Sequence, residues 1–231
     1  MHNSAMRIRK SHDIDNPNAY IRALHGEYSS WAFSEIKAIE MKGRWRERAF
    51  LTATESTPLD LEIGTGNGFF FAHRAAAQPA RLLVGVELKF KPLIQSIRRA
   101  RTNGCQNARI VRYHAANVGD LFAPGELNDV FVHHPDPWER PRKHKHRLLK
   151  NEYLNRLFDL QRSGSRVEFK TDSENYFRWA KKEFEKTNYL LERYTENLHV
   201  SEWAGENFVT HFESIFVKKG LPIYYMRLLK P

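Results

Sequence analysis

Two short stretches of this chain hold residue types that could do chemistry. The first is Glu62-Ile63-Gly64-Thr65-Gly66-Asn67-Gly68, which opens directly into the run FFFAHRAAAQ from Phe69. Glycines at a strand-to-helix turn let backbone approach a ligand closely and present amide groups at a helix N-terminus, beyond the strand ends. For the dinucleotide pattern G-x-G-x-x-G the third glycine comes one residue too early, and Phe69 stands in its place. An acidic residue just ahead of the glycines repels a pyrophosphate. It suits a cationic ligand end instead, such as the amino acid portion of S-adenosylmethionine. Glu87, 23 residues beyond Gly64, closes the next apolar run, where a carboxylate can accept hydrogen bonds from the two hydroxyls of a ribose. Asn117 can offer its amide to an adenine edge. Against these stand structural alternatives: a tight turn that binds nothing, a solvated charge at Glu87 and a plain turn Asn at 117.

The second stretch is His133-His134-Pro135-Asp136-Pro137-Trp138, followed by Glu139 and then a basic run to Lys150. Two prolines around Asp136 fix the backbone and remove two amide donors, which holds the carboxylate outside the strand end, toward the glycine loop and a methyl donor. The plainer alternative is a helix cap or turn aspartate. Trp138 could stack on a base, but from the residues alone burial is the expected fate. From Arg140 to Lys150 there are six Lys or Arg and two His with no carboxylate, a density suited to phosphate neutralisation. The four histidines between 133 and 146 lack a carboxylate at helical metal-ligand spacing, so no metal is expected.

With these motifs in hand, the chain resembles the tRNA (guanine-N7)-methyltransferase family, whose fourth motif is Pro-Asp-Pro-Trp followed by a Lys, Arg and His cluster. Lys170-Thr171-Asp172 is similar to the family's K-T-D, with Glu174-Asn175-Tyr176 continuing it. Thr210-His211-Phe212-Glu213 matches T-x-F-E, and Gly220-Leu221-Pro222-Ile223 matches G-x-P-I. Arg7-Ile8-Arg9-Lys10 with Asn16-Pro17 resembles the basic start of bacterial members. The likeness runs from about Leu59 to Ile223 with motifs in order.

That resemblance implies a doubly wound, Rossmann-like S-adenosylmethionine-dependent methyltransferase fold with a mostly parallel sheet. It implies methyl transfer to N7 of a guanosine in tRNA, with no required protein partner and a monomer or homodimer. Asp136 maps to the catalytic carboxylate and borders the cofactor, and Glu62, Gly64, Gly66, Gly68, Glu87 and Asn117 map to cofactor contacts. Arg140, Asp172, Thr210 and Glu213 map to substrate contacts. Two positions depart from the pattern: His133 and His134 stand where hydrophobic or Asn-Phe type residues are usual, and Arg140 stands where most relatives have Lys. A same-fold enzyme for another RNA or a small molecule, and a non-catalytic RNA-binding protein, are the competing readings.

Positioning these residues requires particular elements. Strands are expected at Leu59–Ile63, Leu82–Leu88, Asn107–Tyr113, Val130–His133 and Arg166–Lys170, with helices from Phe69, from Lys91 to Gly104, at Tyr153–Leu160 and at Asn175–Thr187. Such alternation means a parallel sheet with right-handed crossovers. A helix broken near Gly43 is expected over Trp31–Phe50, and a short helix, a Gly220-Leu221-Pro222 turn and a strand over Ile215–Leu229. Residues 1–30 suggest a basic, partly flexible arm, and 31–231 a single methyltransferase domain.

Composition agrees. The chain has 231 residues, 41% of them hydrophobic, with 5 Trp, 9 Tyr and 15 Phe, which argues against a disordered chain. No apolar run approaches the roughly 18 residues of a membrane span, and no secretory signal is visible, so the cytoplasm is expected. Cys105 alone excludes an internal disulfide and a thiolate-rich zinc site. The net charge of +10 fits a polyanionic partner or merely aids solubility.

Overall fold

A computed structural model describes residues 10–231, which form two compact units divided between Leu127 and Asn128. Arg7, Ile8 and Arg9 of the basic start lie outside the described residues.

In the first unit β1 (Ala32–Phe33), β2 (Leu59–Ile63), β3 (Leu82–Glu87) and β4 (Ala108–Arg112) pair in the order β1-β4-β3-β2, all parallel. β2 and β4 are buried at every position, and β3 at all but Glu87, as strands covered on both faces must be. The helices α1 (Ala19–His25), α2 (Glu35–Ile39), α3 (Trp45–Ala49), α4 (Phe69–Ala77) and α5 (Phe90–Thr102) complete it. The apolar face of α5, Leu93, Ile94, Ile97 and Ala100, joins Phe71, Ala72, Leu83 and Ile110 in the core. Each buried Leu or Ile there contributes roughly 2 kcal/mol. Gly104, at φ +74°, ends α5 as expected of a residue just past a helix C-terminus.

Two expectations differ here. From residue 10 onward the supposed arm is folded: Asn18 accepts from the N–H groups of Tyr20 and Ile21 to cap α1, and Ile21, Leu24 and Tyr28 are buried. The helix expected over Trp31–Phe50 is instead β1, α2 and α3, with Gly43 at φ +73° between the helices. Trp45 drives this arrangement, fully buried between the rings of Phe33 (5.8 Å) and Phe122 (5.5 Å) with its indole N–H on the Leu121 carbonyl.

The second unit holds β5 (Val130–His133), α6 (Asn151–Leu160), β6 (Arg166–Thr171), α7 (Glu174–Phe184), β7 (Leu190–Thr195), α8 (His211–Lys218) and β8 (Tyr224–Leu229). Their sheet order is β5-β6-β8-β7, with β5 and β6 parallel and the pairs β6–β8 and β8–β7 antiparallel. β7 escaped the sequence analysis because Leu190, Leu191 and Glu192 are all exposed, so the strand shows no period-two alternation. Among the described residues, no helix is long and apolar enough to cross a membrane.

Candidate active site

In the first unit the chain leaves β2 at Ile63 and enters α4 through three left-handed glycines, Gly64 (φ +76°), Gly66 (φ +54°) and Gly68 (φ +77°). Gly68 does more than turn the chain: a Cβ there would lie 2.3 Å from Ser96 Cα, so the loop rests directly on the backbone of α5. Ser96 Oγ donates to the Gly66 carbonyl (2.9 Å) and pairs with Thr65 Oγ1 (3.0 Å), which fixes the loop from below.

Glu87 closes β3, as expected, and both its oxygens accept backbone N–H groups, Oε2 from Gly66 (3.1 Å) and Oε1 from Lys89 (2.9 Å). Glu62 is buried, and its Oε2 has no hydrogen-bond partner. Burial, helped by the negative charge of Glu87, pushes the Glu62 carboxyl up to about 8. A buried carboxyl that lacks a donor fits a ligand end bearing positively charged N–H groups, as the ammonium of S-adenosylmethionine does. Asn117 sits half-buried in a 3-10 turn, Ala115–Asp120, with its N–H on the His114 carbonyl. The structure brings Glu62, the glycines and Glu87 together and sets Asn117 on a separate turn of the same unit.

In the second unit His133 ends β5 beside Lys170 of β6, and the His134 N–H donates to the Lys170 carbonyl (2.8 Å). Beyond it the chain turns sharply, with His134 (φ +48°) and Trp138 (φ +45°) left-handed on either side of Pro135-Asp136-Pro137. Non-glycine residues in this region store strain and cluster at functional sites. Asp136 is exposed at the turn. Trp138 corrects the expectation of burial: it is 38% exposed and packs on the His146 ring, 5.2 Å between centroids.

Near the turn lie half-buried polar pairs that sequence alone did not show. His133 Nε2 meets Glu168 Oε1 at 2.9 Å, and the Tyr225 hydroxyl donates to Glu168 Oε2 (3.2 Å). Burial, with Lys170 adding to it, pushes the His133 imidazole down to about 4, so it is neutral near pH 7. His134 packs on Phe216 and brings Nδ1 within 3.5 Å of Asp172 Oδ1. Asp172 is half-buried and Arg140 exposed.

Thr210 and Glu213, mapped by resemblance to the substrate, are both buried, and Glu213 is 0% exposed. They form a capping box at the start of α8, the Thr210 side chain accepting from Glu213 N–H and the Glu213 carboxylate from Thr210 N–H. Glu213 also lies 3.5 Å from Lys170 Nζ and accepts from Asn207. Burial alone would raise its carboxyl, yet Lys170 and these donors hold it below its ordinary value.

Within the basic run, Arg142, Lys143 and Lys145 are exposed on a 3-10 turn, Pro141–His146. Arg147 differs from them. It is buried, with Nε donating to the Pro137 carbonyl (2.8 Å) and Nη2 to Asn175 Oδ1, and it serves the turn rather than solvent.

Comparison with known proteins places this geometry. Residues 56–226 match the family described as putative methyltransferase. The chain is 50% identical over 208 residues, 90% of its length and 99% of the relative's, to a tRNA (guanine-N(7)-)-methyltransferase of Bdellovibrio bacteriovorus. It is 29% identical over 185 residues to one from Bacillus subtilis, covering 80% of this chain and 84% of that one. Among solved structures it is similar to antibiotic-resistance methyltransferase Kmr, with a TM-score of 0.54 at 14% identity, covering 77% of this chain and 88% of that one. It is also similar to a 16S rRNA (adenine(1408)-N(1))-methyltransferase from Catenulisporales acidiphilia, with a TM-score of 0.51 at 14% identity, covering 76% and 86%. At such identities these structures establish the Rossmann-like fold alone.

Proposed function

Because the chain belongs to the tRNA (guanine-N7)-methyltransferase family, we infer that it is an S-adenosylmethionine-dependent enzyme that methylates N7 of a guanosine in tRNA. The near full-length likeness to a relative of that name carries the acceptor, and the buried Glu62 Oε2, which lacks a hydrogen-bond partner, supports the cofactor.

Glu62, Gly64, Gly66, Gly68, Glu87 and Asn117 would hold S-adenosylmethionine. When bound, this cofactor supplies an electrophilic methyl group on a sulfonium sulfur. Glu62 ionises against an ammonium group, and Glu87 meets ribose hydroxyls from the end of β3. Guanine N7 carries an in-plane lone pair and no proton, so the chain supplies no base before attack, and placement provides most of the rate. Asp136, fixed between two prolines, stabilises the positive charge that appears on the purine. Asp172 accepts from the guanine N1 and N2 donors, while Arg140, Arg142, Lys143 and Lys145 meet phosphates. Thr210 and Glu213 act from beneath by fixing the start of α8 and holding Lys170.

Residues 31–231 thus work as one methyltransferase domain, the first unit holding the cofactor and the second receiving the tRNA. We place this activity in the cytoplasm, without a required protein subunit. The test is transfer of labelled methyl groups to unmodified bulk tRNA, followed by nucleoside analysis. 7-Methylguanosine is the expected product, and its absence despite proven cofactor binding would shift the acceptor to another RNA or a small molecule.

A further inference from the structure

Among the described residues, two arginines of the first unit are buried, and they are treated differently. Arg112 meets the carboxylate of Glu35. Arg109, on β4 and 7% exposed, has no carboxylate partner. Its Nη1 donates to the carbonyls of Gln106 (2.9 Å) and Ala108 (2.8 Å), and its Nε is buried without a hydrogen bond. The guanidinium lies between two rings, 4.5 Å from the centre of Trp31 and 4.7 Å from that of Phe50. Ring faces ease a buried cation but leave its in-plane N–H donors unmet. Burial pushes this guanidinium down to about 10, which leaves it cationic near pH 7.

Arg109 lines a cavity of about 650 Å³, together with Phe50, Ala53, Ala75, Leu82 and Cys105. That volume falls in the range of small-molecule sites, roughly 300–1,000 Å³. The cavity lies where β3 begins, at Leu82, and where Asn107 leads into β4. The glycine loop leaves the opposite end of β2, and a five-residue strand spans about 16 Å, so the two places are distinct. Helix ends border the cavity, and several of their carbonyls already accept hydrogen bonds. Asn107 Nδ2 donates to Ala75, Gln78 and Arg81 carbonyls, and the N–H groups of Asn103, Gly104 and Cys105 close the last turn of α5. At this cavity Arg109 keeps a buried Nε without an acceptor, and its guanidinium has no carboxylate partner.

We propose that this cavity is a second ligand site, taking a small organic anion whose carboxylate or phosphate meets Arg109 and whose apolar body fills the space beside Phe50 and Leu82. The site is independent of the methyl-transfer reading.

The whole chain is titrated with benzoate, phenyl phosphate, benzyl alcohol and inorganic phosphate, with binding followed by ligand-observed NMR and by thermal unfolding. One or both aromatic anions should bind at least about tenfold more tightly than the alcohol, the least that charge-assisted hydrogen bonds confer. Whichever anion binds better identifies carboxylate or phosphate as the recognised group. Arg109→Gln should bring the anions down to the level of the alcohol. Ala76→Trp, at an exposed position of α4 that lines the cavity, keeps Arg109 and should abolish binding, which covers the case in which Arg109→Gln fails to fold. Methyl transfer to tRNA should persist in Ala76→Trp. Anion binding that survives Ala76→Trp is surface binding to a basic chain and overturns the proposal. So does inorganic phosphate binding as tightly as phenyl phosphate, or benzyl alcohol binding as tightly as the anions.

Discussion

Glu62 and Glu87 divide the polar resources at the end of their strands unequally. Glu87 takes the N–H groups of Gly66 and Lys89, whereas Glu62 Oε2, buried nearby, takes none and feels the charge of Glu87. The glycine loop is thereby tied to one carboxylate, while the other remains able to answer a cation.

A proton balance follows. With its carboxyl pushed from an ordinary 4.5 to about 8, Glu62 is mostly protonated near pH 7, and an ammonium against it would ionise it. Binding of S-adenosylmethionine should therefore release close to one proton at about pH 7 and much less at about pH 9, measured by calorimetry in buffers of different ionisation enthalpy. The sign for stability is the reverse of the usual carboxylate. Because the folded value is raised, the contribution of Glu62 is complete below the unfolded value of 4.5 and is lost as pH rises through about 8. Glu62→Gln should flatten that part of the pH profile of Tm and weaken cofactor binding at least about tenfold. Binding without proton release near pH 7 would take Glu62 out of the ammonium contact.

The glycines should separate by mutation. Gly64 has positive φ but no neighbour within 4 Å of a Cβ, so Gly64→Ala should cost roughly 1–2 kcal/mol. Gly68 combines positive φ with the Ser96 backbone at 2.3 Å, and Gly68→Ala should cost about 3 kcal/mol or more. Urea unfolding of both variants checks this, and equal losses would show that the loop does not rest on α5 as described.

Much of this was legible because chemistry and position coincide at strand ends. Glu62, the glycines, Glu87 and Asp136 announce themselves by type and spacing, and β2 to β6 by short apolar runs. What stayed hidden depends on partners far along the chain. Nothing local distinguishes Arg147, buried on Pro137 and Asn175, from the exposed Arg142 five residues earlier. Glu213 is fully buried with Lys170, on β6, 3.5 Å away, and β7 lacks alternation because it is exposed along its first half. Burial of paired charges is a property of the folded chain, and composition does not carry it.

Asp136 and the exposed arginines should fail in different ways. Asp136→Ala should remove turnover while leaving tRNA affinity nearly intact, the outcome expected if the carboxylate acts on the developing charge as proposed. Arg140→Ala with Arg142→Ala should weaken tRNA binding and lower the slope of log affinity against log salt by roughly 1.5, the loss of two phosphate contacts. Anisotropy titrations over a salt series, with single-turnover assays, separate the two. Near wild-type turnover in Asp136→Ala would remove its catalytic assignment.

Arg147 provides the sharpest contrast, because it belongs to the same basic run and does a different job. Its guanidinium joins the Pro137 carbonyl to Asn175 of α7 and lies over the rings of Tyr176 (5.0 Å) and Trp179 (5.1 Å). A fork of planar donors can satisfy both acceptors at once, which an ammonium cannot. Arg147→Ala should therefore cost about 2–4 kcal/mol of stability and lower kcat by loosening the turn that holds Asp136, and Arg147→Lys should recover little of either. The salt slope of tRNA binding should stay at the wild-type value in both variants, because no phosphate contact is lost. A slope reduced as in the Arg140 and Arg142 pair would instead make Arg147 an RNA contact, and the turn would then need another support.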